Sequence, residues 1–394
     1  MVLAKDIKGA DGGVFLAAGT ALDDAAIASI AALGAPFAYI KPNPAFTSPE
    51  KDLQRIESFV RYYFQYVDPD SPLFNELFRL VMERVFEASQ KGWAIPCEYE
   101  RQAKSVEHLH DLFFRDQGAS LDLVKHETSL SSFPDTYFKI KELLDSPAST
   151  AADMAKVVSA DVSLAAKLLR LVNSPFFGVA GRVDSISHAI ALVGVSELAT
   201  LALGISAIKF FKDIPPELMD METFWKHSLR CAVFGKCVAS LLPGLTSERF
   251  FTAGLLHDAG RLVMFKNLPY ASVQAMLYAR SSGAPLLEAE REILGFDHTE
   301  VAGLLLEEWN FPAELRSIIA YHHDPLLSPA PRDAAVIQLA DILACGVEIS
   351  STGMYSLPGM TQEAWNLLGL KTYDIDKLIR LHDKYFQELT SVFF

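Results

Sequence analysis

The sequence predicts a mainly α-helical protein, and three observations carry that prediction. Beyond residue 130 no stretch alternates apolar and polar residues for long enough to make a useful strand, which argues against a doubly wound sheet or a barrel. Apolar side chains there recur three and four positions apart, as in Phe224, Cys231, Phe234 and Val238, with His227 on the same stripe. Prolines and glycines fall between these runs, at Pro147, Pro175, Gly194, Pro215, Pro216, Pro243 and Gly283, where they end helices without breaking their interiors.

The chain has 394 residues, half of them apolar and only 21% charged, enough to fill a large helical core in more than one domain. Its formal net charge of -14 disfavours bulk electrostatic attraction to nucleic acid or to an anionic membrane. A local basic pocket for a small phosphorylated ligand stays compatible with that charge. The four cysteines, Cys97, Cys231, Cys237 and Cys345, form no Cys-x-x-Cys pair and read as core residues of a reducing compartment. The first residues carry no secretory pattern, and the apolar stretch 189–204 is short and interrupted by Gly194 and Glu197, so a cytoplasmic protein is expected.

Taken in order, residues 1–42 suggest a small α+β module. A strand at 14–16 follows a glycine pair, an alanine-rich helix spans 23–32, and a second strand at 37–40 ends at Lys41-Pro42. Residues 43–128 form an intermediate helical linker region: a proline-bearing connector, helices at 51–66 and 72–90, and a long polar helix at 98–126 suited to joining domains or subunits. The aromatic group Phe59, Tyr62, Tyr63, Phe64 and Tyr66 reads as core or dimer interface.

The large domain runs from 129 to 394 with its core at 129–350. Helices are expected at 136–144, 151–159, 163–171, 185–192, 196–208, 221–242, 247–264, 271–280, 286–294, 297–309, 312–322 and 332–347. Two more, at 361–368 and 374–389, close the chain. Asp297 and Glu300 make a capping signature that puts His298 in a first helical turn. The helix begun by Pro312 delivers His322 and His323 at its far end.

Several of these apolar helices carry groups that are costly to bury alone: His227, His257 with Asp258, His298, His322 with His323, and Asp341. Imidazole and carboxylate on rigid helices suit a site for one or two divalent ions of the Fe, Mn, Zn or Mg type, with Asp258 as the natural bridge between two. A single histidine beside leucines is more often a hydrogen-bonded core residue. The adjacent His-Asp pair is less easily assigned that way, and for Asp341 a cap or an ion pair with Arg261 is the alternative.

From about residue 129 to 350 the chain resembles the HDOD domain, the signalling relative of the HD phosphohydrolases and HD-GYP phosphodiesterases. The matching segments are VVSADVSLAAKLLRLVNSPFFG, ISHAIALVGVSELATLAL, FWKHSLRCA, TAGLLHDAGRLVM, FDHTEVAGLLLEEWNFP, IIAYHHDP and VIQLADILA. Residues 3–42 resemble the small module often found before HD-GYP domains. The resemblance implies a multi-helical HD-like fold. It matches His227 to the first family histidine, His257 and Asp258 to the paired ligands, and Asp341 to the final aspartate. His298 with His322 or His323 matches the extra histidines of the two-metal enzymes.

Two departures stand out. Arg261 occupies the place of a lysine shortly after the His-Asp pair, and DPLLSPAPRDAA after His323 lacks the glycine-tyrosine-proline loop. The resemblance therefore implies a non-catalytic regulatory module, able to hold a metal but no organic cofactor, that engages signalling proteins such as a kinase or cyclase, or a small phosphorylated ligand, and can form a homodimer. The alternative is a metal-dependent phosphohydrolase or phosphodiesterase in which Asp258 and Arg261 act on a nucleotide or cyclic dinucleotide.

Overall fold

The computed structural model describes residues 49–93, 95 and 135–394 except 212–213, 215–218, 246–247, 283, 310 and 349–355. Before them it describes 2–3, 7–8, 14–17, 20, 30 and 40–41. The chain divides into two compact units, Met1–Phe59 and Val60–Phe394. The fold is mainly helical.

In the first unit, short strands pair antiparallel. β1 (Val2–Leu3) lies against β4 (Ile40–Lys41), and β2 (Ile7–Lys8) against β3 (Val14–Leu16). The strand expected at 14–16 is present. The helix expected at 23–32 and the strand at 37–40 lie outside the described residues except at residues 30 and 40, and the helix at 98–126 lies outside them entirely. Then come helix α1 (Pro49–Tyr63) and helix α2 (Pro72–Gln90).

Next among the described residues of the second unit come α3 (Asp135–Asp145), α4 (Ala151–Ala160), α5 (Val162–Val172), α6 (Ile186–Val193) and α7 (Val195–Phe210). Their starts are set locally: Thr150 and Asp153 form a reciprocal capping box, and Asp161 and Ser185 accept backbone N–H bonds at the next two starts. Gly194, at φ +102°, makes the 118° bend between α6 and α7 that an L side chain would resist. Among the described residues no single helix is long and apolar enough to cross a membrane. Tyr137 Oη donates to the Trp309 carbonyl at 2.7 Å, tying α3 to the far end of the domain.

The central helix is α8 (Met221–Leu241), buried nearly all round, as expected of a helix without a polar face. It packs on α9 (Glu248–Leu256), on α15 (Pro331–Val347) and on α17 (Tyr373–Phe393). Between α9 and α15 come α10 (Ala259–Asn267), α11 (Pro269–Ser282), α12 (Leu286–Leu294), α13 (His298–Glu308) and α14 (Ala313–Ala320). Helix α16 (Gln362–Leu368), capped by Thr361, packs on α15.

The helix expected across 247–264 is in fact two, because the chain breaks at His257 and Asp258. Asp258 occupies the cap of α10 without its side chain bonding to the backbone there. That carboxylate is drawn instead to Arg261, whose Nη1 donates to Oδ2 at 2.8 Å. Apolar periodicity runs through the break unchanged, so the sequence pattern cannot register it.

Candidate metal centre

Two glycines decide how closely the site-bearing helices approach. A Cβ on Gly254 would sit 2.5 Å from the Ala232 nitrogen, so α9 lies with its backbone against α8 and brings His257 to His227. A Cβ on Gly260 would collide with the His298 carbonyl and lie 2.8 Å from the Ala302 nitrogen, so α10 lies equally close to α13. In both cases the obstacle is backbone, which cannot rotate away.

These approaches, with α14 and α15, bring His227, His257, Asp258, His298, His322, His323 and Asp341 into one continuous group. His227 Nε2 is 3.1 Å from Asp341 Oδ1. His257 Nε2 is 3.5 Å from Asp258 Oδ2 and 3.6 Å from Asp341 Oδ1. His298 Nε2 is 3.3 Å from Asp258 Oδ1 and 3.2 Å from His323 Nε2. The His322 ring lies 5.2 Å from that of His257 and 5.6 Å from that of His298, centre to centre. All but His323 are buried, with His257, His298 and His322 at 0% exposure. His322 and His323 lie just past the C-terminus of α14, where the chain turns toward Pro325–Leu327.

The hydrogen bonds fix which imidazole nitrogen faces the group. His257 Nδ1 donates to the Gly254 carbonyl at 2.8 Å, and His322 Nδ1 to the Ile319 carbonyl at 2.8 Å. His298 Nδ1 donates to Glu290 Oε2 at 2.6 Å, and the same oxygen accepts from the His298 backbone N–H. Each ring is thereby held with Nε2 turned into the group, the orientation that outer hydrogen bonds impose on metal-ligating histidines. His257 Nε2, His322 Nε2 and Asp258 Oδ1 have no hydrogen-bond donor, although they are fully enclosed. Unsatisfied acceptors in a sealed interior are expensive unless a cation occupies the space among them.

The electrostatics keep both carboxylates of the group ionised. Burial would raise the Asp258 carboxyl, but Arg261, His257 and His298 overcome that and hold it well below the usual carboxylate range. Burial likewise works against ionised Asp341, and the hydrogen bond from His227 together with the nearby His257 keeps it far below its ordinary value. Burial alone would weaken proton binding at His257, yet Asp258, Cys231 and Asp341 drive it well up. His322 is pushed down to about 3 by burial and by the neighbouring His257 and His298, so its Nε2 lone pair stays available. Sub-groups of three, among them His227, His257 and Asp258, or His298, His322 and His323, place their ligand atoms within 4.8 Å of one another, so the clusters can coordinate a divalent metal.

Residues that sequence reasoning missed lie around this group. Glu290 is 3% exposed and orients His298. Its signal was available: it sits on the apolar stripe of α12 with Leu286 and Leu294, the wrong face for a solvated acid. Gln338 Nε2 donates to the His323 carbonyl at 3.0 Å and fixes that segment against α15. Arg261, expected to meet either Asp341 or a substrate phosphate, is buried at 7% exposure and bonded to Asp258, with Nε 3.7 Å from Glu290.

Comparison with known proteins agrees with this architecture. Residues 130–325 match the model of the HDOD domain. An HDOD domain protein of unknown function from Geobacter sulfurreducens superposes with a TM-score of 0.52 at 22% identity, covering 69% of this chain and 96% of that one. A protein from Shewanella amazonensis, provisionally assigned as a phosphohydrolase, gives 0.54 at 22% identity, over 70% of this chain and 97% of that one. One from Marinobacter aquaeolei, provisionally assigned to signal transduction, gives 0.54 at 24%, over 76% of this chain and 67% of that one. An uncharacterized protein of Treponema pallidum is 25% identical over 66% of this chain, and the match spans 48% of that relative's length. Family model and shared fold together identify residues 130–325 as an HDOD domain, and the converged His-Asp centre is built largely within it.

Proposed function

We propose that this chain is a regulatory module of bacterial signalling that works in the cytoplasm by binding a partner protein, such as a kinase or cyclase, or a small phosphorylated ligand. In this reading the histidine-aspartate centre holds one or two divalent ions as a structural or sensing element and turns nothing over. The observation that carries it is the enclosure of the centre: His227 and Asp341 are each 2% exposed and His257, His298 and His322 are at 0%, which leaves the half-buried His323 as the one candidate ligand a phosphate ester could reach. Arg261 supports the same reading, since its charge is spent on Asp258 inside the core. The segment after His323 is a short turn at Pro325–Leu327 and carries no glycine-tyrosine-proline loop to shape a cyclic dinucleotide site. Residues 1–42 would serve assembly, including homodimer formation.

A second reading is favoured by the completeness of the ligand set. His227, His257, Asp258 and Asp341 would hold one ion, and Asp258, His298 and His322 or His323 a second. The ions would supply an acidified water and Lewis-acid polarisation of a phosphoryl oxygen, and Arg261 would offset phosphate charge.

Elemental analysis of the purified protein, combined with assays on nucleotides and cyclic dinucleotides in Mn, Fe or Zn, separates the two. Bound metal without turnover is the expected result. Metal-dependent hydrolysis that disappears in the His257→Ala, Asp258→Ala double variant would overturn the regulatory reading in favour of the enzyme.

A further inference from the structure

The two helices that supply His227 and Asp341 repeat one device. On α8, Cys231 lies one turn after His227; on α15, Cys345 lies one turn after Asp341, so each thiol faces the side of its helix that carries the ligand. Both cysteines are free. Cys231 is fully enclosed beside the His257 ring. Cys345 is half-buried, and its Sγ donates to Asp341 Oδ1 at 3.5 Å.

Cys345 has the better geometry for a cation. Its Sγ lies within 4.8 Å of ligand atoms of both His227 and Asp341, which are themselves 3.1 Å apart. Across the same carboxylate stands the donorless His257 Nε2, 3.6 Å from Asp341 Oδ1 in a residue that is fully buried. The space bounded by Asp341 Oδ1 is therefore shared by an imidazole without a donor, a second imidazole and a thiol.

We propose that Cys345 is a thiolate ligand of this centre, forming with His227 and Asp341 a nitrogen, oxygen and sulfur set that selects Zn(II), Fe(II) or Co(II) over Mg(II). This inference rests on the metal reading given above and adds to it the identity of a ligand and the class of ion. When the ion enters, the Sγ–H bond breaks and the sulfur–metal bond forms; the proton leaves to water on the half-exposed side of Cys345, and no redox change is involved. The hydrogen bond from sulfur to Asp341 is replaced by an ion that both atoms share. Thiolate discriminates strongly against Mg(II), which demands hard oxygen ligands and keeps its water.

The test is the absorption spectrum of the full chain titrated with Co(II), for wild type, Cys345→Ser and Cys231→Ser, each first shown by circular dichroism to melt as a folded protein. Wild type and Cys231→Ser should show both visible ligand-field bands and a near-ultraviolet thiolate-to-cobalt charge-transfer band. Cys345→Ser should keep the ligand-field bands and lose the charge-transfer band, with roughly 10- to 100-fold weaker Zn(II) binding in competition and unchanged Mg(II) binding. Ligand-field bands in wild type without charge transfer, or a charge-transfer band that survives in Cys345→Ser, overturns the thiolate assignment and leaves the metal centre standing. No cobalt uptake by wild type overturns the metal centre and the thiolate together.

Discussion

Two polar groups are buried in the same unit, and they are finished differently. Near the C-terminus, His382 is stacked between Phe234 and Phe386, with ring centres 4.5 and 5.0 Å away. Its Nδ1 donates to Asp383 at 3.1 Å, and its Nε2 faces Arg230 Nη1 at 3.5 Å. Arg230 in turn lies 2.9 Å from Glu348 and over the Phe386 ring, while Asp383 pairs with Arg84. Both nitrogens of that histidine have partners. In the centre formed by α8, α10, α13 and α15, the outward nitrogens of His257 and His322 are just as firmly bonded, yet their inward nitrogens have no donor. The contrast teaches that burial of histidine and acid does not by itself signal function. What distinguishes the second group is that its hydrogen bonds fix the rings while leaving several acceptors aimed at one space.

The largest effect that tests this difference is loss of a charge at the enclosed centre. Asp258→Asn leaves Arg261 buried without its carboxylate and should cost about 3–5 kcal/mol, whereas Asp383→Asn, at a site where side chains remain 44% and 37% exposed, should cost less than about 1 kcal/mol. Chemical denaturation of the two variants measures both. Equal losses would erase the distinction.

Next in size is the response to metal. With a divalent ion at about 100 times its dissociation constant, wild-type protein should gain about 2.7 kcal/mol of stability, and His382→Phe should gain the same. His257→Ala should gain far less. A thermal melt with and without Zn(II) reads all three, and an undiminished gain in His257→Ala would show that the ion binds elsewhere.

The smallest effect is a pH dependence belonging to the paired cluster. Burial, partly opposed by Asp383, lowers His382 below its ordinary 6.5, so the unfolded chain binds its proton more readily than the folded one. Stability from this group is whole above about 6.5 and declines as pH falls toward the lower folded value. Asp383, which His382 and Arg84 hold at about 2 against the opposing effect of burial, contributes a second decline between 3.8 and about 2. His382→Phe should keep the stacked shape and remove the first decline. Urea midpoints measured from pH 7 to pH 5 check it, and an unchanged slope in the variant would assign the decline to other groups.

Much of this was legible locally. The helix starts at Ser185, Asp297 and Thr361 carry their own caps, and the polar residues in apolar helices were recognisable because each broke its stripe. Glu290 broke its stripe too, but it reads as one more acid on a helix until His298 is seen to depend on it. The break at His257 and Asp258 left no trace in the periodicity, since it follows from where the Asp258 carboxylate goes, and its partner Arg261 acts only once the core is closed.

By itself, then, the sequence determined most of the described helices, several of their starts and the chemical types of the residues available, because those depend on neighbours three or four positions away. Tertiary structure alone decided that Gly254 and Gly260 would let backbones touch, that His227, His257, His298, His322 and Asp341 would face one space, and that Cys345 would border it. The reason is physical: whether a lone pair is satisfied or left open depends on atoms supplied by distant segments, and those distances exist only in the folded chain.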